Sequence, residues 1–256
     1  AALIDNFIWP FPDEESLWDL NRAVEACLNI MEVFGIPFVS GKDSLSSTYR
    51  RGDFVLKIPP VLCVSVFGKI PDVTKTVTSD FKQIGSHIVL VGKPDTDRLG
   101  GSVYFETSGQ VGSQVPQVDL QGLPILFDWL HSQITQGNVL ACHDISEGGM
   151  AATLAEMCFG GNRGAQVNIP PGYEGRLDHW FFNETAGCFL LEVPSDRVNQ
   201  ASCSAPRSGV QSPFAVIGMV TDTDSITFTR HDNPLFSLTL DALKESWKRP
   251  MKEVFH

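Results

Sequence analysis

The sequence has no apolar run approaching the roughly 18 residues that a membrane-spanning helix needs, so no membrane partner is expected. It also lacks the charged-then-apolar opening of a secretory signal. Basic residues are scarce: 19 Lys plus Arg face 30 Asp plus Glu, for a net charge of −11. A nucleic-acid partner is excluded on that balance, because phosphate-backbone binding needs a basic face. Small phosphorylated ligands stay open, since backbone amides and bridging metals bind phosphate without net positive charge. No CxxC pair occurs among Cys27, Cys63, Cys142, Cys158, Cys188 and Cys203. Buried thiols in a reducing cytoplasm are therefore expected rather than a disulfide framework. The histidines (His87, His131, His143, His179, His231 and His256) are scattered, which argues against a zinc site. No GxxxxGK[ST] loop is present, so a Walker-type ATP site is excluded, and no nucleophile elbow supports a Ser-His-Asp hydrolase.

What the sequence does have is 43% apolar and 19% charged residues, enough for a full core. Its 256 residues allow one large domain or two small ones. Apolar side chains recur at helical spacing over 16–34, with Ser16 or Asp13 as N-cap and Gly35 as the stop. Strands are expected at 36–40, 53–58 and 61–69, and a Thr- and Asp-rich linker at 71–81. Beyond it, strands at 86–92, 139–144, 188–193, 214–220, 226–230 and 235–240 mix with helices at 123–135, 148–159, 196–203 and 241–247. That alternation predicts an α/β (or α+β) layer rather than a sandwich. The chain starts on Ala1, in what already reads as a structured element, so a piece of a longer protein is expected.

Several polar clusters interrupt these elements. Ser40-Gly41-Lys42-Asp43-Ser44 leaves a strand: the glycine permits close backbone approach, the carboxylate suits Mg²⁺ and Ser44 a phosphate oxygen. A polar turn between two strands would explain the same residues. Leu99-Gly100-Gly101-Ser102, preceded by Asp95 and Asp97, is either an anion nest or an ordinary turn. His143-Asp144-Ile145-Ser146-Glu147-Gly148-Gly149 joins a strand to a helix, and N-capping by Asp144 or Ser146 accounts for it without catalysis. Glu184, in Asn183-Glu184-Thr185-Ala186-Gly187, either orients a substrate hydroxyl or ends an exposed turn. Asp5-Asn6, near Trp9, could contact a nucleotide, as could many loops.

The motifs AVEACLNIMEVFGIPFVSGKDSL, PDVTKTVTSDFK, IVLVGKPDTDRLGGS, HDISEGGMAATLAEMCFGGNRG and FFNETAGCFLLEVP occur in that order. In that order and spacing the chain resembles the phosphoribosylformylglycinamidine synthases, purine-pathway ligases of the aminoimidazole ribonucleotide (AIR) synthetase superfamily. The resemblance covers nearly the whole chain. It implies two tandem synthetase-like units, of which this sequence is similar to the second with its front trimmed. Residues 1–80 would then be the C-terminal part of an N-type, ATP-binding domain, and 81–256 a C-type α/β domain.

The implied reaction joins formylglycinamide ribonucleotide, ATP and glutamine-derived ammonia into formylglycinamidine ribonucleotide, ADP and phosphate. Carried over by resemblance, Asp5, Gly41 and Lys42 meet ATP, Asp43 holds Mg²⁺, and Ser44 holds substrate. Short forms of the family place an Asn directly after the glycine, so the metal position stays open between 42 and 43. Gly100, Gly101, Ser102, Asp144 and Glu184 are further candidates, and Tyr49-Arg50 departs from the family's usual residues. The family's catalytic histidines belong to the first unit, so no catalytic residue is assigned here. The implied partners are that first unit and a glutaminase domain or subunit, and the implied cofactors are ATP and Mg²⁺. Alone, the chain is expected to be inactive, to supply half of a composite ATP site, and to self-associate. Alternatives are a non-catalytic nucleotide-binding or interface module, or a stand-alone relative such as AIR synthetase, selenophosphate synthetase or thiamine-monophosphate kinase.

Overall fold

A computed structural model describes residues 1–170, 172–206, 214–231 and 233–254; His256 lies outside them. The chain divides into two compact units, Ala1–Val73 and Thr74–His256, where the sequence pattern set the boundary at 80/81.

In the first unit, β1 (Ala2–Ile8) leads through α1 (Glu14–Phe34) to β2 (Phe38–Ser44), followed by β3 (Thr48–Arg51), β4 (Phe54–Lys57) and β5 (Val61–Phe67). The sheet order is β2-β1-β5; β1 runs parallel to β2 and antiparallel to β5, and β3–β4 form a separate hairpin. Asp13 is the N-cap of α1, accepting from Ser16 N at 2.9 Å while Ser16 Oγ accepts from Asp13 N at 2.8 Å. Ser16 is thus the third residue of a capping box, not the cap itself. Lys57 pairs with the same Asp13 carboxylate and is the main reason its pKa lies well below the ordinary value. The core is small, with Leu3, Phe7 and Trp9 buried. The stripe expected to bury on α1 does so only in part: Leu20, Cys27, Met31 and Phe34 are half-buried, while Leu17, Val24 and Leu28 are exposed.

The second unit contains β6 (His87–Val91), α2 (Val103–Thr107), α3 (Leu123–Thr135), β7 (Ala141–Asp144), α4 (Gly149–Gly161) and β8 (Gly164–Asn168). It continues with α5 (Leu177–Phe182), β9 (Phe189–Val193), α6 (Val198–Ser204), β10 (Phe214–Thr221), β11 (Ser225–Arg230), β12 (Asn233–Thr239) and α7 (Leu240–Val254). Seven strands pair in the order β12-β11-β8-β10-β6-β9-β7, antiparallel except for β11 against β8. Both faces of this sheet are covered, which is why its central strands read as unbroken apolar runs. Ile88, Leu90 and Leu190 pack with Met150, Leu154 and Met157 of α4, Phe181 of α5 and Leu240 of α7. Val89, Val91, Leu191 and Val193 face Leu126, Trp129 and Leu130 of α3 and Ala201 of α6. The mixed helix-and-sheet layering agrees with the α/β (α+β) expectation.

One buried charge closes this core. Glu192, fully buried at the end of β9, accepts from Lys82 N at 2.8 Å, Gln83 N at 2.7 Å and Ser86 Oγ at 2.6 Å. It thereby fastens the approach to β6. All six cysteines are free thiols. Burial pushes Cys142, Cys158 and Cys188 up to about 12, so they are inert. Cys63 and Cys203 are exposed, contrary to the expectation that the thiols are buried. Among the described residues no helix is long and apolar enough to cross a membrane.

Candidate functional site

In the first unit, Ser40-Gly41-Lys42-Asp43-Ser44 is not a turn: it lies inside β2, paired with β1 in the register Asp5↔Gly41, Asn6↔Lys42 and Phe7↔Asp43. Side chains alternate across a strand, so the cluster splits between two faces. Asp5, Gly41 and Asp43 share the face that buries Leu3 and Phe7. Lys42 and Ser44 share the other, with Lys42 Nζ donating to Ser44 Oγ at 2.6 Å. Gly41 is required by its neighbour: a Cβ there would lie 1.9 Å from Asp5 Oδ1. The absent side chain is the space that the Asp5 carboxylate fills. On the opposite face Asn6 Oδ1 is shielded from solvent yet has no hydrogen-bond partner.

Among the described residues no group of three or more His, Cys, Asp or Glu side chains is arranged to hold a metal ion. Mg²⁺ does not need such a group, because it binds through one or two carboxylates plus water and substrate phosphates. Asp43, exposed on the Asp5 face, fits that donor set.

In the second unit, the loops that leave β6 and β7 and the one that enters antiparallel β9 meet at one end of the sheet. Asn183 and Thr185 are buried there. Asn183 Nδ2 donates to the carbonyls of Asp95 at 2.5 Å and Arg98 at 3.2 Å, and Asp95 N donates to Thr185 Oγ1 at 2.8 Å. Glu184 Oε1 accepts from Val103 N at 3.0 Å and Gly148 N at 2.9 Å. Beside it lies an open cleft of about 320 Å³, lined by Asp144, Ile145, Ser146, Glu147, Glu184, Ala186 and Gly187.

Three of the expected roles change at this end. Gly100 N and Gly101 N donate to Gln114 O and Val111 O, both at 2.7 Å, and Ser102 caps α2 by accepting from Phe105 N. The amides of the Gly100-Gly101 pair are thus committed to carbonyls and do not form an open anion nest. Neither Asp144 nor Ser146 caps α4; Gly148 does, in the left-handed conformation at φ 78 that favours glycine. Asp144 ends β7, its side chain 64% exposed and 3.3 Å from His143 Nδ1, while His143 Nε2 lies 3.1 Å from Glu156. Glu184 neither orients a free hydroxyl with Oε1 nor ends a turn; it ties two amides. Sequence reasoning gave no weight to Asn183 and Thr185 as anchors, nor to Glu192, and nothing local distinguishes them.

Residues 83–231 match the family described as AIR synthase related protein, C-terminal domain, and the chain belongs to that family. Along almost its full length it is similar to proteins named phosphoribosylformylglycinamidine synthase subunit PurL. That of Deinococcus radiodurans is 29% identical, over 99% of this chain and 34% of the relative. That of Prochlorococcus marinus strain MIT 9313 is 30% identical, over 97% and 33%. The chain thus spans about a third of the length of these relatives. Its fold is shared with Thermotoga maritima PurL complexed with FGAR, at a TM-score of 0.71 and 15% identity, over 95% of this chain and 39% of that one. Escherichia coli HypE, a hydrogenase maturation protein, shares it too, at a TM-score of 0.68 and 16% identity, over 93% and 72%. The fold alone therefore does not select a reaction.

Proposed function

We propose that the chain is part of a purine-biosynthesis ligase that converts formylglycinamide ribonucleotide, ATP and ammonia to formylglycinamidine ribonucleotide, ADP and phosphate. The observation that carries this reading is the pairing of Asp5 with Gly41, with Asp43 on the same face of the β1–β2 pair. Gly41 makes room for the Asp5 carboxylate, so two carboxylates share one face of the strand pair, the kind of donor that holds Mg²⁺ together with water and phosphate oxygens. Bound there, Mg²⁺ would supply neutralising charge for a triphosphate. Asp43 is the ligand, not Lys42, because Lys42 lies on the opposite face and is a cation. Lys42 and Ser44 hold the phosphorylated substrate on that opposite face. The Thermotoga maritima PurL structures complexed with ATP, ADP and AMPPCP support nucleotide binding.

Chemistry needs more than this chain carries. The first synthetase-like unit is the expected partner, and the exposed Leu17, Trp18, Leu28, Val64 and Val66 of the first compact unit offer it apolar surface. A glutaminase domain or subunit supplies ammonia, and the complex works in the cytoplasm. Exposed apolar surface equally favours a second reading, an interface module without its own nucleotide. Isothermal titration separates the two. Mg-ADP gives saturable heat with this chain and at least about tenfold weaker binding in Asp43→Ala, since each tenfold corresponds to about 1.4 kcal/mol. No heat at all would leave the interface reading standing. Turnover of formylglycinamide ribonucleotide with Mg-ATP and ammonium stays at the blank; clear product from the chain alone would refute its dependence on a partner.

A further inference from the structure

The segment 95–122 has little regular structure beyond the short α2, yet it is fastened at several points by the Asn183-Glu184-Thr185 triplet. Alternating side chains do different work. Asn183 and Thr185 point inward and hold 95–98 by its backbone. Glu184 points the other way, and its single Oε1 takes both Val103 N, at the first turn of α2, and Gly148 N, ahead of α4. These amides are 45 positions apart in the chain, from 103 to 148, and share one acceptor.

We propose that Glu184 is a positioning residue that couples the 95–122 segment to the turn before α4, so that the two segments loosen and tighten as one unit. The motif glutamate acts by holding its neighbours in register rather than by touching ligand through Oε1. That these loops serve the ligase reaction rests on the function proposed above; the coupling itself does not.

Amide hydrogen exchange on the 256-residue chain tests it without any ligand. In Glu184→Ala both Val103 and Gly148 amides exchange roughly tenfold faster or more, because hydrogen bonds to a charged acceptor are the stronger kind. Glu184→Gln keeps a carbonyl oxygen in place and restores both to within about threefold. The amides of Val89 and Leu191, in the central strands, report that the fold persists. Val103→Pro cuts the link without touching Glu184. Proline is tolerated at the first position of a helix, and Ser102, at φ −73 and ψ 153, already has the backbone that precedes proline. This variant loosens 95–122 while Gly148 keeps its protection, and adds nothing further to that loosening in a Glu184→Ala background. The proposal is overturned if Glu184→Ala frees only one of the two amides or neither, or if Glu184→Gln behaves like Glu184→Ala. Retained coupling in Val103→Pro would overturn it too. A failed Mg-ADP titration with intact exchange results would sink the proposed function and leave the coupling standing.

Discussion

The two units solve the problem of burial differently. The second covers the central strands of its seven-stranded sheet on both faces, with Leu190, Leu191, Val89 and Val91 essentially free of solvent. The first has a three-stranded sheet, a two-stranded hairpin and one long helix, and leaves Val66 66% and Val39 58% exposed. Stability therefore resides in the second unit, while the first buries little beyond Leu3, Phe7 and Trp9 and leaves Asp43 and most β5 side chains exposed. A face left open to solvent is also a face left open to a ligand or a partner surface.

Substitutions can break this contrast, beginning with the most damaging. Leu191→Ala in the second unit should cost about 3–4 kcal/mol in denaturant unfolding, as fully buried leucines do. Val66→Ala in the first should cost less than about 0.5 kcal/mol. Similar losses at both positions would mean that the first unit buries more than its surface indicates. Glu192→Ala removes the acceptor of the Lys82 and Gln83 amides and leaves the Ser86 hydroxyl only the Gln83 carbonyl, and should cost about 2 kcal/mol. Glu192→Gln, which keeps an acceptor, should recover part of that in the same measurement.

Gly41→Ala sharpens the contrast from the other side. The new Cβ collides with the Asp5 carboxylate, so that side chain must rotate away, at a cost of about 1–2 kcal/mol in thermal unfolding and with weakened Mg-ADP binding. The smallest effect concerns ion pairs. Arg176, chiefly, holds the Asp178 carboxyl well below its ordinary value of 3.8, and Tyr104 donates to it at 2.6 Å. A depressed folded value means stabilisation that is present above pH 3.8 and lost as pH falls through the folded value. Asp178→Asn should cost about 1 kcal/mol at pH 7, and the gap from the unmodified chain should close only below about pH 4. A gap that widens in acid would contradict the assignment.

The elements with strong periodicity were legible from residues alone: α1, α3, α4 and the apolar strands β6 and β9. The site was legible in its residue types and less so in its geometry. Gly, Lys, Asp and Ser have poor strand propensity, so 41–44 reads as a turn. Parallel pairing with β1, brought alongside by the α1 crossover, overrides that preference. The same pairing decides that Asp43 and Lys42 face apart, which no single strand reveals without its partner. Glu184 was visible as a carboxylate, but its partners lie 81 and 36 positions away, so its role as an anchor could not be read locally. Glu192 was hidden for the opposite reason: it sits inside the apolar run FLLEV, and its donors come from residues more than a hundred positions earlier. The short α2 and α5 were missed because five or six residues carry too little periodicity to be seen.

Backbone amide chemical shifts followed during titration with Mg-ADP would locate the nucleotide within the chain directly. The expected result is a saturable, magnesium-dependent set of shifts centred on Asp5, Gly41 and Asp43, with Val89 and Leu191 unmoved. Shifts gathered instead around 144–148 and 184–187, with β1 and β2 silent, would place the nucleotide in the other unit and contradict the role assigned to the open strands.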